Sequence, residues 1–283
     1  MENPIVDLWL CSLSDLCDDI NIKSHLKETL TADEIEKVER YRVPSSQVQA
    51  MYVRNYLRGV LSCYSDLTPK AWRFEYGEKG KPSLIADQQI QTGLNFNISH
   101  SKEHLLIAVC QREGKPVQLG VDIEHARSST NIDSIMKHYF SDKELADLLK
   151  LSKELQRERF FDLWALKESY IKATGRGLAT SLRSFSFDFS NLTKQTLPIH
   201  PSNFQPNLQD EIRFHGEISI YSGVGLDVTE QTVISTDWQC CLGRLDEQYR
   251  FAVTLGGNLL PMQIEMRTFS LPHLFYTSLV RRS

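Results

Sequence analysis

Residues 160–178 read FFDLWALKESYIKATGRGL and predict the last turns of a long helix. Strong helix formers run from about Glu154 to Thr174, and Gly175 and Gly177 then supply a stop. Apolar side chains occupy much of the circumference of this helix, which indicates that it is buried. Its charged residues therefore need partners in the interior.

One stripe of this helix carries an acid and a base. Trp164, Glu168 and Lys172 follow one another at intervals of four residues, so their side chains lie on one face. The two charges can form a simple ion pair, which contributes only about 0.2–0.5 kcal/mol on an exposed helix. In a buried helix they would instead face polar groups of other segments.

The segment GVDIE at residues 120–124 predicts two carboxylates on one side of a strand. Because side chains alternate along a strand, Asp122 and Glu124 project from the same face, about 7 Å apart, whereas Ile123 points the other way. Exposed acids at a strand end need no partner. On a buried face they need a counter-charge, and a divalent cation is the usual one. With Glu168 as a third carboxylate, such a site would suit Mg²⁺.

A strand end upstream carries groups that suit a phosphate or a ribose hydroxyl. Residues 95–101 read NFNISHS, so His100 has Ser99 and Ser101 on either side of it. A histidine at a strand end is also commonly just a solvated residue. Both interpretations stay open on this segment alone.

The segment GEKGKP at residues 77–82 predicts a turn. Its glycines let the backbone approach a ligand closely, with Lys79 and Lys81 beside them. A charged turn can equally be an ordinary solvated loop. The lysines alone do not decide between the two.

Two capping boxes mark the starts of other helices. Thr31-x-x-Glu34 predicts a helix that Pro44 stops, and Ser141-x-x-Glu144 opens a helix in DKELADLLKLS. Both motifs satisfy backbone N–H groups that a helix start leaves without partners.

Short apolar or alternating segments predict strands in both halves of the chain. They are IVDLWLCSL, AWRFEY, LNFNIS, LLIAVCQ, VQLGVDIE, SFSFDF, HGEISIY, WQCCLG and YRFAVTL, with a further helix over 46–64. Residues 192–210, rich in Pro, Asn, Ser and Gln, predict a long surface connection. The order strand, helices, strands thus occurs once before Val117 and once after it, without a residue-level repeat. Two related α+β halves and a single mixed domain both fit this order.

Composition excludes several classes of protein. The 283 residues correspond to roughly two domains of about 150 residues. A hydrophobic fraction of 41% and a charged fraction of 24% are those of a globular chain and not of a disordered one. There are 32 Lys and Arg against 36 Asp and Glu, and no long basic run, so we expect no nucleic-acid or membrane partner.

The remaining features predict a cytoplasmic protein. The N-terminus is acidic where a secretory signal would be basic, and no run of about 18 apolar residues could span a bilayer. The cysteines show neither zinc-ligand nor redox-dithiol spacing and are expected to be reduced, partly buried thiols. They are Cys11, Cys17, Cys63, Cys110, Cys240 and Cys241.

The motifs taken together resemble those of the 4′-phosphopantetheinyl transferases, specifically the monomeric Sfp-type branch that primes carrier domains of peptide and polyketide synthetases. The shared order is GEKGKP, FNISHS, GVDIE, FSDKE and FFDLWALKESYIKATGRGL, and the match runs from about Leu30 to Leu178. The string WALKES-x-x-KA-x-G-x-G-L with GVDIE upstream is its most specific part.

The resemblance implies roles for residues of this chain. Asp122, Glu124 and Glu168 are expected to bind Mg²⁺, with Mn²⁺ as an alternative, and Lys172 to contact the phosphates of coenzyme A, as Asp122 also would through the ion. Expected nucleotide contacts are Lys37, Lys79, Lys81, Ser99 and His100, of which Ser99, His100 and Lys37 would reach the adenosine end and its 3′-phosphate. The chain departs from the family at Glu34 and Gln49, where some members carry basic residues, and Arg54 is a candidate replacement.

The implied fold is a pair of α+β halves related by a pseudo-twofold axis, with the active site between them. Residues 1–117 would form the N-terminal half with the coenzyme A nucleotide contacts. Residues 118–258 would form the C-terminal half with the metal-binding carboxylates and the catalytic helix, and residues 259–283 an extension. The extension has apolar content that could dock onto the body or onto a partner.

The implied reaction is attack of a carrier-protein serine hydroxyl on the β-phosphorus of coenzyme A, which releases 3′,5′-ADP. Glu168 and Lys172 are the expected catalytic residues: Glu168 is first a ligand and then, through a water, the base for the serine proton. Two other hypotheses remain. One is a non-catalytic member that binds coenzyme A or an acyl or peptidyl carrier, and the other is a Mg²⁺-dependent phosphohydrolase. The sequence does not specify which carrier is served.

Overall fold

The computed structural model describes residues 3–14, 16, 18–114, 116–200, 218–228, 235–257, 260–269 and 271. Cys17, the start of the predicted strand HGEISIY and most of the C-terminal extension lie outside these residues. None of the helices within the described ranges has the length and apolar character needed to cross a membrane.

The described residues of the first half form five strands and four helices. In chain order they are β1 (Ile5–Ser12), α1 (Ile20–Glu28), α2 (Ala32–Glu39), α3 (Pro44–Leu61), β2 (Phe74–Tyr76), β3 (Pro82–Leu84), α4 (Ala86–Thr92), β4 (Leu94–Ser101) and β5 (His104–Gln111). The capping box at Thr31 and Glu34 is present, as the sequence predicts. Pro44 does not stop the preceding helix: α2 ends at Glu39, and Pro44 begins α3, because a first helical turn needs no N–H from that residue.

The second half repeats the order of strand, helices and strands. The elements after residue 117 are β6 (Gln118–His125), α5 (Ile132–Tyr139), α6 (Asp142–Leu149), α7 (Lys153–Thr174), β7 (Ser186–Asp188), β8 (Thr193–Leu197), β9 (Ile199–His200), β10 (Ile218–Asp227), β11 (Trp238–Arg244), β12 (Tyr249–Gly256) and, in the C-terminal extension, β13 (Gln263–Thr268). The capping box at Ser141 is present, and Gly175 closes α7 in the left-handed conformation, both as predicted.

Two sheets form the body of an α+β fold with two related halves. One has the order β4-β5-β1-β13-β9, and the other has the order β6-β12-β11-β10-β7 with β8 also on β10. Apolar side chains of β1, β5, β6 and β12 fill a core between the sheets. Separate cores lie under α3 on one outer side and under α7 on the other. The layers therefore run helix, sheet, sheet, helix.

The prediction of a long surface connection over 192–210 is wrong for its first part. Residues 193–197 and 199–200 form β8 and β9, which pair with β10 and β13. Residues 193–196 are exposed, so they lack the apolar alternation by which a strand is predicted from sequence. The predicted strand AWRFEY is shorter in the structure, where the strand comprises only Phe74–Tyr76.

The described part of the C-terminal extension joins the body of this chain. Strand β13 lies parallel to β1, with Ile5 opposite Gln263 and Leu10 opposite Thr268. Since β5 covers the other edge of β1, the first strand becomes an interior strand only through this C-terminal segment.

The described cysteines are free thiols, as predicted. Cys11, Cys110, Cys240 and Cys241 are buried, and Cys63 is half-buried. Burial raises the pKa of Cys240 and Cys241 to about 12, so both stay protonated and unreactive.

The two sheets meet at their edges through polar side chains. On β4, the Asn95 and Asn97 carbonyl oxygens accept hydrogen bonds from the Val117 and Val121 N–H groups, at 3.2 and 2.9 Å. The Ser101 hydroxyl accepts one from the His125 N–H at 3.2 Å. The alternate residues of β4 thus satisfy the edge of β6 and join the halves.

A glycine sets how closely α7 packs on β6. A Cβ atom at Gly120 would lie 2.0 Å from the Ser169 carbonyl oxygen and 2.4 Å from the Ala173 nitrogen. Both atoms belong to the backbone of α7, so neither can swing aside. Only a glycine at residue 120 allows this helix to lie directly on the strand.

We therefore expect Gly120→Ala to lower stability by about 1–3 kcal/mol, because the helix must move to admit a methyl group. Gly77→Ala is the matched control, since a Cβ at Gly77 would come no closer than 3.8 Å to its nearest neighbour, the Lys81 carbonyl oxygen. Urea unfolding of both variants measures the difference. Equal stabilities would contradict this packing constraint.

Candidate active site

The face of β6 that carries Asp122 and Glu124 is the face on which α7 lies. Residues Leu119, Val121 and Ile123 point into the core between the sheets, so the alternate residues face the helix. Close packing at Gly120 places the Glu168 and Lys172 stripe of α7 against the two acids. The predictions from alternation and from four-residue spacing thus converge on one site.

Asp122 is the centre of this site. The Lys172 ammonium donates to the Asp122 Oδ1 atom at 2.6 Å and to the Ser99 hydroxyl oxygen at 2.8 Å. The Ser99 hydroxyl donates to the same Oδ1 atom at 2.8 Å. Asp122 is only 3% exposed, and its Oδ2 atom has no hydrogen-bond partner among the described residues. One carboxylate oxygen is therefore bound and the other is free to accept a further group.

The Asp122 charge perturbs both Glu124 and Glu168. Burial, followed by the Asp122 charge, raises the pKa of Glu124 to about 7, and a hydrogen bond from Trp164 and the Lys172 charge oppose this rise. Burial and the Asp122 charge also raise the pKa of Glu168. Three acids crowded in this way carry more negative charge than one lysine can offset.

The donor set fits a hard divalent cation such as Mg²⁺. Asp122, Glu124 and Glu168 bring carboxylate oxygens close together, and the Asp122 Oδ2 atom has no hydrogen-bond partner among the described residues. Within the ranges that the structure describes, no three or more acidic, histidine or cysteine side chains form a group that could hold a metal ion. Mg²⁺ does not require such a group of side chains, because it is commonly held by one or two carboxylates together with substrate phosphates.

His100 and Ser99 lie on opposite faces of β4. Ser99 faces Asp122, whereas His100 points to the other side of the strand and is exposed. Partial loss of contact with water, and then the Lys172 charge, lower the pKa of His100, so its ring is largely neutral at pH 7.

The other residues that were predicted to bind the nucleotide lie in different parts of the structure: Lys37 and Arg54 near Tyr76, and Lys79 near Gly177. The Lys37 ammonium lies 3.5 Å from the centre of the Tyr76 ring, and the Arg54 charge also acts on Tyr76. Lys79 packs near Gly177 and lines a cleft of about 560 Å³ with Arg176. Their role in nucleotide binding stays a prediction.

Lys81 connects the two halves. Its ammonium donates to the carbonyl oxygens of Leu119 on β6 and Ala173 on α7, at 3.0 and 3.2 Å. Burial lowers its pKa to about 8. It therefore holds the loop 77–82 against the start of β6 and the end of α7, a contact that the sequence does not predict.

The departure from the family at Glu34 has a structural explanation. Glu34 is 3% exposed, completes the capping box of α2, and accepts a hydrogen bond from Arg58 at 2.5 Å. A buried acid with these partners cannot contact a phosphate. The capping box is visible in the sequence. The buried Arg58 is not, because an isolated cation in a helix has no distinctive spacing.

Comparison with known proteins gives matches along most of the chain. A model of the 4′-phosphopantetheinyl transferase superfamily matches residues 118–218. A second model, of the N-terminal region of 4′-phosphopantetheinyl transferases, matches residues 22–112.

Individual relatives carry the same description. The 4′-phosphopantetheinyl transferase HetI of Nostoc sp. is 34% identical over 154 residues, which are 54% of this chain and 63% of that protein, just under two thirds. A putative 4′-phosphopantetheinyl transferase of Synechocystis sp. is 31% identical over 196 residues, which are 69% of this chain and 75% of that protein. The 4′-phosphopantetheinyl transferase Sfp of Bacillus subtilis is 32% identical over 159 residues, which are 56% of this chain and 65% of that protein.

The position of Lys81 predicts a pH dependence of stability. Its pKa is about 8 in the folded chain against 10.5 for an ordinary lysine, so between these values the unfolded state binds more protons. This residue therefore contributes stability that increases as the pH rises from about 8 to 10.5. We expect Lys81→Met to remove an increment on the order of 1 kcal/mol between about pH 7.5 and 9.5.

Urea unfolding of the wild type and the variant at both pH values measures this increment. Lys79→Met, at a neighbouring exposed lysine, should keep the wild-type pH dependence. The same pH dependence in Lys81→Met and the wild type would show that the ammonium is not desolvated.

Proposed function

Because the chain belongs to the 4′-phosphopantetheinyl transferase superfamily, a family of enzymes, we propose that it transfers 4′-phosphopantetheine from coenzyme A to a serine of an acyl or peptidyl carrier. The observation that carries this proposal is the junction of Ser99, Asp122 and Lys172 between the halves. It joins an acid cluster to a lysine in the cleft where a ligand can touch both halves.

Asp122, Glu124 and Glu168 would hold Mg²⁺, and Mn²⁺ could replace it. When bound, the ion would neutralise charge on the diphosphate of coenzyme A. The free Oδ2 atom of Asp122 and the raised pKa of Glu124 support this assignment. The dependence on Mg²⁺ and the release of 3′,5′-ADP both belong to the proposal.

Lys172 would supply the positive charge that the protein itself brings to the phosphates. Its side chain is 29% exposed and its ammonium lies between two oxygens, so a phosphate oxygen can approach it from the cleft. Charge held in place before the reaction lowers the barrier to phosphoryl-group transfer. On the nucleotide, His100, Lys37, Lys79 and Lys81 would contribute binding from the first half.

Glu168 would act as the base, through a water. In the proposed reaction the serine oxygen bonds to the β-phosphorus, the bond from that phosphorus to the ADP oxygen breaks, and the serine proton passes toward Glu168. Burial and the Asp122 charge raise the pKa of this carboxyl, which makes it a better proton acceptor than an ordinary glutamate. Positioning of the two reactants supplies the rest of the rate enhancement.

The remaining proposals concern the oligomeric state, the cellular location and the carrier. We expect a monomer. We also expect the protein to act in the cytoplasm, because its described cysteines are free thiols. Carriers of fatty-acid, polyketide, polyunsaturated-lipid and nonribosomal-peptide synthesis all present a serine at a helix start. The choice among them is therefore left to experiment.

The direct test is to incubate the protein with coenzyme A, Mg²⁺ and either an acyl carrier protein or a peptidyl carrier domain, and to weigh the carrier by mass spectrometry. The proposal expects the mass of one phosphopantetheine to be added. A carrier in which the serine is replaced by alanine is the control. Binding without added mass would favour the non-catalytic member, and coenzyme A cleavage without a carrier would favour the phosphohydrolase.

Asp122→Ala should abolish transfer, with at least about a hundredfold loss, because it removes a proposed metal ligand and a partner of Lys172. The fold should survive, since the lost ion pair is offset by relief of repulsion with Glu124 and Glu168. Asp66→Ala, at an exposed acid, is the matched control. Retention of most activity at saturating Mg²⁺ would rule out the metal assignment.

Lys172→Met should lower kcat by about 10²–10³-fold, a larger change than that in coenzyme A affinity, because the ammonium acts on charge that develops during transfer. Lys172→Arg keeps the charge and should lose less. Steady-state kinetics with varied coenzyme A measures both quantities. A large rise in KM with unchanged kcat would make Lys172 a binding residue only.

A further inference from the structure

Lys167, next to Glu168 on α7, is completely buried and has no part in the proposed reaction. Its exposed fraction is 0%. Its ammonium donates to the Leu182 and Phe185 carbonyl oxygens at 2.7 and 2.9 Å, and it lies 2.8 Å from the Glu144 Oε2 atom. All three of its N–H donors are therefore used. A lysine held in this way cannot serve as a nucleophile or as a proton carrier.

Glu144 connects this lysine to a second helix and a strand. Its carboxylate accepts hydrogen bonds from the Ser141 N–H at 3.0 Å, which completes the capping box of α6, and from the Phe187 N–H of β7 at 3.1 Å. Lys167 thus ties α7 to the start of α6 and to the segment that runs from Leu182 into β7. These contacts fix the side of α7 that points away from β6.

The first half contains the same arrangement. The capping-box acid Glu34 contacts Arg58, a cation of the long helix α3 that is 0% exposed. Arg58 also donates to the Pro69 and Trp72 carbonyl oxygens at 2.8 and 2.9 Å, as Lys167 does at Leu182 and Phe185. In each half the two carbonyls are three residues apart. The halves therefore share a buried anchor that no sequence repeat indicates.

We propose that Lys167 is a positioning residue, which sets the rotation of α7 so that Glu168 and Lys172 face Asp122. Successive side chains on a helix are about 100° apart, so anchoring Lys167 on one side determines the direction of Glu168. A displacement of about 1 Å in a reacting group can cost as much as a hundredfold in rate. The inference rests on the proposed function for its kinetic consequence, and on geometry alone for the anchoring.

The test compares Lys167→Met with Arg58→Met in the full chain. Lys167→Met should lower kcat at least about tenfold with KM for coenzyme A within about twofold, because the proposed nucleotide contacts are in the first half. Arg58→Met removes a matched anchor on the helix that lies beside α2 and Lys37. It should instead raise KM for coenzyme A and leave kcat within about twofold.

Hydrogen exchange provides a readout that does not depend on activity. Amide exchange at residues 166–174 should rise in Lys167→Met and stay at wild-type rates in Arg58→Met. Because Lys167→Met leaves the Glu144 charge buried alone, Glu144→Gln combined with Lys167→Met is the variant to use if the single one unfolds. It should fold and still show lowered kcat and faster exchange.

A folded double variant with wild-type kcat and wild-type exchange at 166–174 would overturn the inference. Faster exchange without a change in kcat would also overturn it, since the anchor would then have no bearing on the site. If the wild type itself transfers nothing, the proposed function fails, and exchange alone decides whether Lys167 orients the helix.

Discussion

The hydrogen bonds that converge on one oxygen of Asp122 bring together three segments that are far apart in sequence. Ser99 comes from the first half, Asp122 from the first strand of the second half, and Lys172 from the long helix. Asp122 is nearly inaccessible to water, so these bonds act in a medium of low effective dielectric, where a missing partner would be costly. One contact therefore assembles the site and, with the hydrogen bonds of Asn95, Asn97, Ser101 and Lys81, helps to join the halves.

Much of the fold follows from local patterns in the sequence. The capping boxes at Thr31 and Ser141, the glycine stop after α7 and the apolar strands are all where those patterns predict them. The strands over 193–200 could not be predicted, because an exposed edge strand shows no apolar alternation. The pairing of β13 with β1 could not be predicted either, since nothing local relates residues so distant in the chain.

The site shows the same division between local and distant information. Alternation places Asp122 and Glu124 on one face, and four-residue spacing places Glu168 and Lys172 on one stripe, so their convergence could be anticipated. Gly120 does not stand out in the sequence, although it lies on the same strand face as the two acids and allows close contact between the backbones of β6 and α7. The anchors at Arg58 and Lys167 have no sequence signature, because their partners are backbone carbonyls of later segments. The proposed substrate rests on the family resemblance, because no spacing of residues indicates coenzyme A.

The parallel pairing of β1 with β13 has a consequence for biosynthesis. Strand β1 gains one of its two neighbours only when residues 263–268, far along the chain, have been made. Until then its free edge is open to pairing with other chains, and the N-terminal sheet is incomplete. Completion of the sheet that contains β1 thus waits for the synthesis of β13, and contacts of such long sequence separation form slowly. A truncated product that stops after β12 would expose that edge permanently, and it would be a substrate for chaperones and proteases before it could become an enzyme.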